Sequence, residues 1–133
     1  MEESRLRTYS PLTLAFLGDA VFSLFMREYV VKKGNTNVNK LHKRTVGLVS
    51  ANAQEKAVMA LIEGNELTDD ELEIFRRGEN AQTETHAKNA SARSYHRATG
   101  FECLIGWLYL KEDHIRIEEL LKRAIEINEN EQI

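Results

Sequence analysis

The chain has 133 residues, 42% hydrophobic and 29% charged with a net charge of −3, which fits one soluble globular domain able to bury a core without staples. Its single Cys excludes an internal disulfide framework and a Cys-rich zinc site, and suits a reducing cytoplasm. The first residues, Met1-Glu2-Glu3-Ser4-Arg5, do not read as a signal peptide, and the longest apolar run is far short of a membrane span.

Ser10-Pro11 opens the first strong helix, with an N-cap hydroxyl followed by proline at the first helical position. From Leu12 to Val30 the pattern is almost unbroken by polar residues, yet Asp19 stands inside it in Phe16-Leu17-Gly18-Asp19-Ala20. At about 100° per residue, Leu12, Ala15, Phe16, Phe22, Ser23 and Met26 lie within about 60° of Asp19. Leu14, Leu17, Val21, Leu24 and Phe25 cover the far side. A helix apolar all round is expected in the middle of a domain, where an uncompensated carboxylate costs several kcal/mol or takes up a proton.

A second helical region starts near the Asn35–Asn39 cluster and runs from Lys40 to about Ile62. It reads as one helix or as two, with a break at Ser50–Asn52 and Asn52…Glu55 as a second capping box; Glu63-Gly64 ends it. Thr68-Asp69-Asp70-Glu71 is a capping box for a helix to Arg77, with Gly78 as C-cap. Residues 79–92 read as a polar loop, long enough for a compact domain to suggest function. A helix over Arg93–Lys111 and an amphipathic one over His114–Asn128 follow, with a frayed tail. Strand and hairpin signals are missing, so the expected class is all-α, a single domain over 1–133 with its core at about 10–128 and frayed termini.

The Arg93–Lys111 helix repeats the oddity of the first. Phe101, Cys103, Leu104, Ile105, Trp107, Leu108 and Leu110 make it apolar on nearly every face around Glu102. Ala98, Thr99, Ile105 and Gly106, one turn away, cannot neutralise that acid. Two such acids invite one shared explanation, a hard divalent cation such as Mg²⁺ or Mn²⁺. The alternative is that each pairs separately with an arginine such as Arg27 or Arg97, or caps a neighbouring helix.

Charge distribution bears on the partner. Residues 1–48 and 88–111 carry local balances of +4 and +3, while 49–87 and 112–133 carry −6 and −4. The two basic segments are those that hold the two acids. A polyanion could thus approach one basic face of a protein that is acidic overall, although scattered solvated charge gives the same counts.

The run Phe16-Leu17-Gly18-Asp19-Ala20-Val21 resembles the signature helix of the ribonuclease III family, and Phe101-Glu102-Cys103-Leu104-Ile105-Gly106 resembles its second acidic helix. Leu41-His42-Lys43-Arg44…Val49-Ser50-Ala51, Arg76-Arg77-Gly78-Glu79-Asn80-Ala81, Lys88-Asn89 and Tyr95-His96-Arg97 resemble the family's minimal bacterial branch, Mini-ribonuclease III, which lacks a double-stranded-RNA-binding domain. The likeness spans about residues 10–112. Where the full-length family carries further acids, this chain has Leu12, Ala15 and Thr99, as the minimal branch does.

The resemblance implies a dimeric, cytoplasmic, Mg²⁺-dependent endoribonuclease (Mn²⁺ able to substitute) that cuts double-stranded RNA to 5′-phosphate and 3′-hydroxyl ends. It also implies maturation of large-subunit (23S) ribosomal RNA precursor and does not identify a ribosomal-protein partner. Asp19 and Glu102 become the catalytic and metal-binding residues, with metal-derived hydroxide in the role of base. Lys40, His42, Lys43, Arg44, Arg76, Arg77, Lys88, Arg93, His96 and Arg97 are the candidate RNA contacts, since duplex RNA is read mainly through shape, phosphates and 2′-hydroxyls. Cys103 is expected to be an inert core thiol, and Trp107 and Tyr109 core or dimer-interface residues. A non-catalytic RNA-binding or ribosome-assembly module of the same fold is the alternative.

Overall fold

A computed structural model describes residues 1–81 and 90–130. Lys88 and most of the polar 79–92 stretch lie outside the described residues, as does the tail beyond 130. The described residues form helices α1 (Glu3–Leu6), α2 (Pro11–Lys33), α3 (Val38–Val49), α4 (Ala51–Glu63), α5 (Asp69–Glu79), α6 (Ala90–Leu110) and α7 (His114–Asn130), and no strand occurs among them.

Local signals set most of the boundaries. Ser10 Oγ accepts from the Thr13 amide at 3.1 Å, with Pro11 at N1. Asn37 caps α3 through the Lys40 amide at 2.9 Å. The second region proves to be two helices, and their hinge is Ser50, not Asn52. Ser50 donates its amide to Val46 O as C-cap of α3 and accepts from the Ala53 amide as N-cap of α4. The Thr68 capping box is complete, but α5 continues through Gly78 to Glu79. Gly78 is an interior contact and not a terminator, because an added Cβ would lie 2.5 Å from Cys103 Cβ and 2.9 Å from Gly100 Cα. At the chain's start, α1 goes unread in the sequence, yet its Leu6 is buried and the terminal amine donates to Leu110 O. Glu129, read as tail, belongs to α7 and accepts from the Tyr29 hydroxyl at 2.5 Å.

Helix α6 is the central element, packed by α2, α5, α4 and α7. That enclosure explains why Phe101, Cys103, Leu104, Ile105 and Leu108 are buried on different faces of one helix. Phe101 meets Phe22 of α2 edge to face, ring centroids 5.4 Å apart. Burial holds the Cys103 thiol up at about 12, so it stays protonated and inert as expected. Across the back, Glu71 completes the capping box and also takes a two-pronged bond from Arg116, at 2.8 Å to each oxygen, tying α5 to α7.

The position of α2 departs from the sequence expectation. Its pattern is apolar all round, but only one side, with Leu14, Ala15, Gly18, Phe22, Met26 and Val30, is buried. The other side leaves Phe16 83%, Leu24 67%, Val31 56% and Leu12 43% exposed. Asp19 lies on the boundary between the two sides and is exposed, so it is not the buried carboxylate read from the pattern.

The crossing of α2 and α6 is unusually close. A Cβ on Gly18 would overlap the Glu102 carbonyl and sit 2.9 Å from the Gly106 amide nitrogen. A Cβ on Gly106 would overlap the Leu14 carbonyl and sit 3.2 Å from the Gly18 nitrogen. On an exposed helix Gly→Ala stabilises by about 1 kcal/mol. Here backbone meets backbone, and neither helix can yield without unpacking its neighbours. Gly106→Ala is therefore expected to destabilise by roughly 3 kcal/mol or more in urea unfolding. A variant as stable as wild type would mean that the two helices separate freely.

Candidate active site

The close crossing delivers the two acids to one place. Asp19 follows Gly18 directly, and the carbonyl that Gly18 rides over belongs to Glu102. The two side chains, 83 residues apart in sequence, come close enough for the Asp19 charge to act on Glu102. Asp19 stands at the solvent-facing lip, and Glu102 is the half-buried inner wall. Burial pushes the Glu102 carboxyl up, to about 7, and the negative charge of Asp19 adds to the rise. A bond from Gln54 Nε2 to Glu102 Oε2, 3.2 Å long, pulls the other way.

Among the described residues no arginine is shown to pair with either acid. Arg97 bonds Glu55 Oε2 at 2.8 Å and lies 3.5 Å from Glu79, while Arg27 bonds Ser23 Oγ at 3.3 Å. Among the described residues no third carboxylate, histidine or thiol joins Asp19 and Glu102. Two neighbouring carboxylates, with no cation among the described residues shown to pair with them, form a donor set for a hard divalent ion that keeps most of its water.

Gln54 carries no signal of chemistry and escapes the sequence reading. It sits on the inner face of α4 with Ala53, Ala57, Val58 and Leu61. A polar residue in that apolar row is the same oddity that marks Glu102, and would have been the clue. Glu55 beside it is not a capping partner of Asn52. It accepts from Ser94 Oγ at 2.6 Å and from Arg97, while Arg76 bonds Glu79 at 3.0 Å. This chain of ion pairs joins α4, α5 and α6 at the two ends of the 82–89 segment. It engages Arg76 and, more fully, Arg97.

The remaining basic candidates are distributed as follows. Lys40, His42, Lys43 and Arg44 are exposed along α3. Lys43 and Arg44 face a groove shared with Tyr29, Lys33 and Gly47, where Glu129 accepts from Lys33 at 3.4 Å. Arg77 lines a separate cleft with Arg7, Asp70 and Trp107. Arg93 is exposed, and His96 is half-buried with Nδ1 lacking a partner among the described residues. Trp107 is buried under the Lys111 ammonium, 4.0 Å from the ring centroid, and is not a stacking platform.

Known proteins resemble this chain over most of its length. The ribonuclease III domain family model matches residues 12–113. The chain is 43% identical over 125 residues to a Clostridium tetani protein named Mini-ribonuclease 3, covering 93% of this chain and 82% of that one. It is 38% identical over 126 residues to the Mini-ribonuclease 3 of Staphylococcus aureus, covering 95% and 94%. A crystal structure of a Fusobacterium nucleatum protein superposes with a TM-score of 0.77 at 32% identity, over 90% of this chain and 94% of that one. With its domain matched from the first acidic helix to past the second, the chain belongs to the ribonuclease III family of metal-dependent endoribonucleases, in the branch named Mini-ribonuclease 3.

Proposed function

We propose that this chain is a Mg²⁺-dependent endoribonuclease that cuts both strands of duplex RNA as a cytoplasmic homodimer, leaving 5′-phosphate and 3′-hydroxyl ends. Its proposed substrate is large-subunit (23S) ribosomal RNA precursor, as the likeness to the minimal branch implies. The observation that carries this reading is the Asp19–Glu102 pair at the α2–α6 crossing. Once bound, Mg²⁺ supplies a lowered pKa for coordinated water and neutralises charge on the phosphoryl oxygens. Asp19 at the lip is reachable by a phosphate from solvent. Glu102 behind it, held by Gln54, fixes the inner side. The open position of the pair suits a polymer, whose backbone can lie across the lip without entering a cavity.

Asp19→Asn and Glu102→Gln should each lower cleavage of duplex RNA with Mg²⁺ by at least about 10³-fold while circular dichroism stays unchanged. Wild-type turnover by either folded variant would overturn the reading. Glu102→Gln carries a second signature. In metal-free buffer the folded chain holds the Glu102 proton up to about 7, against 4.5 for the free side chain. The native state thus binds more protons than the unfolded one in that interval, and wild-type stability falls as pH rises through it. The Gln variant should lack this fall and exceed wild type at pH 8 by about 2 kcal/mol in chemical unfolding.

The exposed apolar side of α2 supports the dimer. Leu12, Phe16, Leu24 and Val31 form a surface that a second copy can cover isologously, placing two lips side by side, as a two-strand cut requires. Phe16→Lys should turn a dimer into a folded monomer in sedimentation at tens of micromolar. A wild-type chain that is itself monomeric there contradicts the proposal.

For RNA, α3 is the proposed docking helix, with Lys40, His42, Lys43 and Arg44 exposed on it, and the exposed Arg77 and Arg93 are proposed as further contacts. Replacing Lys43 and Arg44 together with Ala should weaken RNA binding and flatten its salt dependence by roughly one counterion per lost phosphate contact. Single-turnover cleavage at saturating enzyme should change much less. Unchanged affinity and salt slope would show that α3 faces away from RNA.

A further inference from the structure

We propose that Gln54 is a third member of the acid site, a positioning residue that locks Glu102 with its amide nitrogen and offers its amide oxygen to water in the hydration shell of the bound ion. The inference rests on the metal reading of the Asp19–Glu102 pair. Three observations carry it. Gln54 is 3% exposed, yet it is fully polar at its tip. Its Nε2 donates to two acceptors at once, the Val49 carbonyl at 3.0 Å and Glu102 Oε2 at 3.2 Å. The Val49 carbonyl can only accept, so the amide nitrogen must face it and the orientation of the amide is fixed. That leaves Oε1 buried and without a partner among the described residues.

A buried amide oxygen with no donor costs about 1–3 kcal/mol unless something satisfies it. An amide's nitrogen and oxygen lie about 2.2 Å apart, which keeps Oε1 beside the carboxylate that Nε2 holds. The neighbouring acids are acceptors when ionised and cannot satisfy it. Water carried by a hydrated divalent ion can, since Mg²⁺ retains several of its waters. The frame behind Gln54 is rigid. Its own amide bonds Ser50 O at 2.9 Å, and the preceding residue's carbonyl takes a bond from the buried Asn128 of α7 at 3.1 Å. The Gln54 side chain thereby couples the end of α3 to the carboxylate of α6, while Asn128 of α7 anchors the backbone beside it. Outer partners of this kind hold a ligand's geometry, and their loss typically weakens metal affinity by about 10–100-fold.

The experiment is calorimetric titration of the metal-free full chain with Mn²⁺ and with Mg²⁺, for wild type, Gln54→Met and Gln54→Glu. Circular dichroism and thermal unfolding of each variant are recorded alongside. Gln54→Met keeps the shape and removes both polar atoms. It should weaken cation binding by about 10–100-fold and raise the Mg²⁺ concentration for half-maximal cleavage by the same factor, with the KM for RNA unmoved. Gln54→Glu places a third carboxylate against Glu102. It should lower the metal-free melting temperature yet bind Mn²⁺ at least as tightly as wild type, a pairing that a purely structural glutamine would not give. Should Gln54→Met fail to fold, Gln54→Asn, one methylene too short to reach Glu102, replaces it with the same expectation. If wild type binds the cations and the folded Met or Asn variant binds them equally well, the role of Gln54 is refuted while the metal site stands. If wild type binds neither cation, the metal reading itself falls and this inference with it.

Discussion

Backbone contact between α2 and α6 is the constraint on which the rest of the molecule depends. At Gly18 and Gly106 the two helices approach until no side-chain atom fits between them, and Leu14, Phe22 and Phe101 pack around that point. Two neighbouring carboxylates repel, and solvent alone would let them drift apart. The crossing prevents this, because each acid is attached one residue from, or at, the point where the main chains touch. A second close approach, where a Cβ on Gly100 would lie 2.7 Å from the Phe75 carbonyl oxygen, brings α5 against another side of α6. Helix α6 is thus held on two sides by contacts that permit no slack.

The electrostatics of the pair follow from where each acid sits relative to that crossing. Glu102 lies on a helix enclosed by four others, so its charge is poorly solvated and its proton is held to about 7. Asp19 lies at the edge of α2 that water reaches. The protein pays for this asymmetry in stability and leaves the compensating charges to something it binds. The arginines weighed as partners of the pair are committed elsewhere, Arg97 to Glu55 and Glu79 and Arg27 to Ser23. A site quenched by an internal arginine would have no use for a cation. This one keeps its demand for one.

The surface divides in a similar way. On α2 the apolar side that the core does not use remains as a band beside Asp19, and α3 carries exposed cations that no acid of the described residues is shown to neutralise. Conversely, the cations flanking the 82–89 segment are drawn into a network with Glu55 and Glu79, which stiffens the ends of α5 and α6. Basic residues that look alike in the sequence therefore split into free and engaged groups, and only the free ones are left to meet a polyanion without first breaking an ion pair.

The sequence by itself determined the helical class, the helix starts at Ser10 and Thr68, and the two acids that stand out in apolar helices. These are local properties. A hydroxyl before a proline, a Thr…Glu box, or one acid in a run of apolar residues acts within a few positions of itself. It also determined family, because Phe16–Val21 and Phe101–Gly106 occur in order with their spacing intact. Only the tertiary structure decided which apolar surface is covered. The residue pattern of α2 cannot distinguish a core helix from one whose second face is left bare, since burial depends on how many neighbours arrive. The roles of Gln54 and Glu55 and the commitment of Arg97 were likewise decided by partners about 40 or more positions away. Those partners meet through the packing of α4 on α6, and periodicity within either helix says nothing about which residues will face each other there.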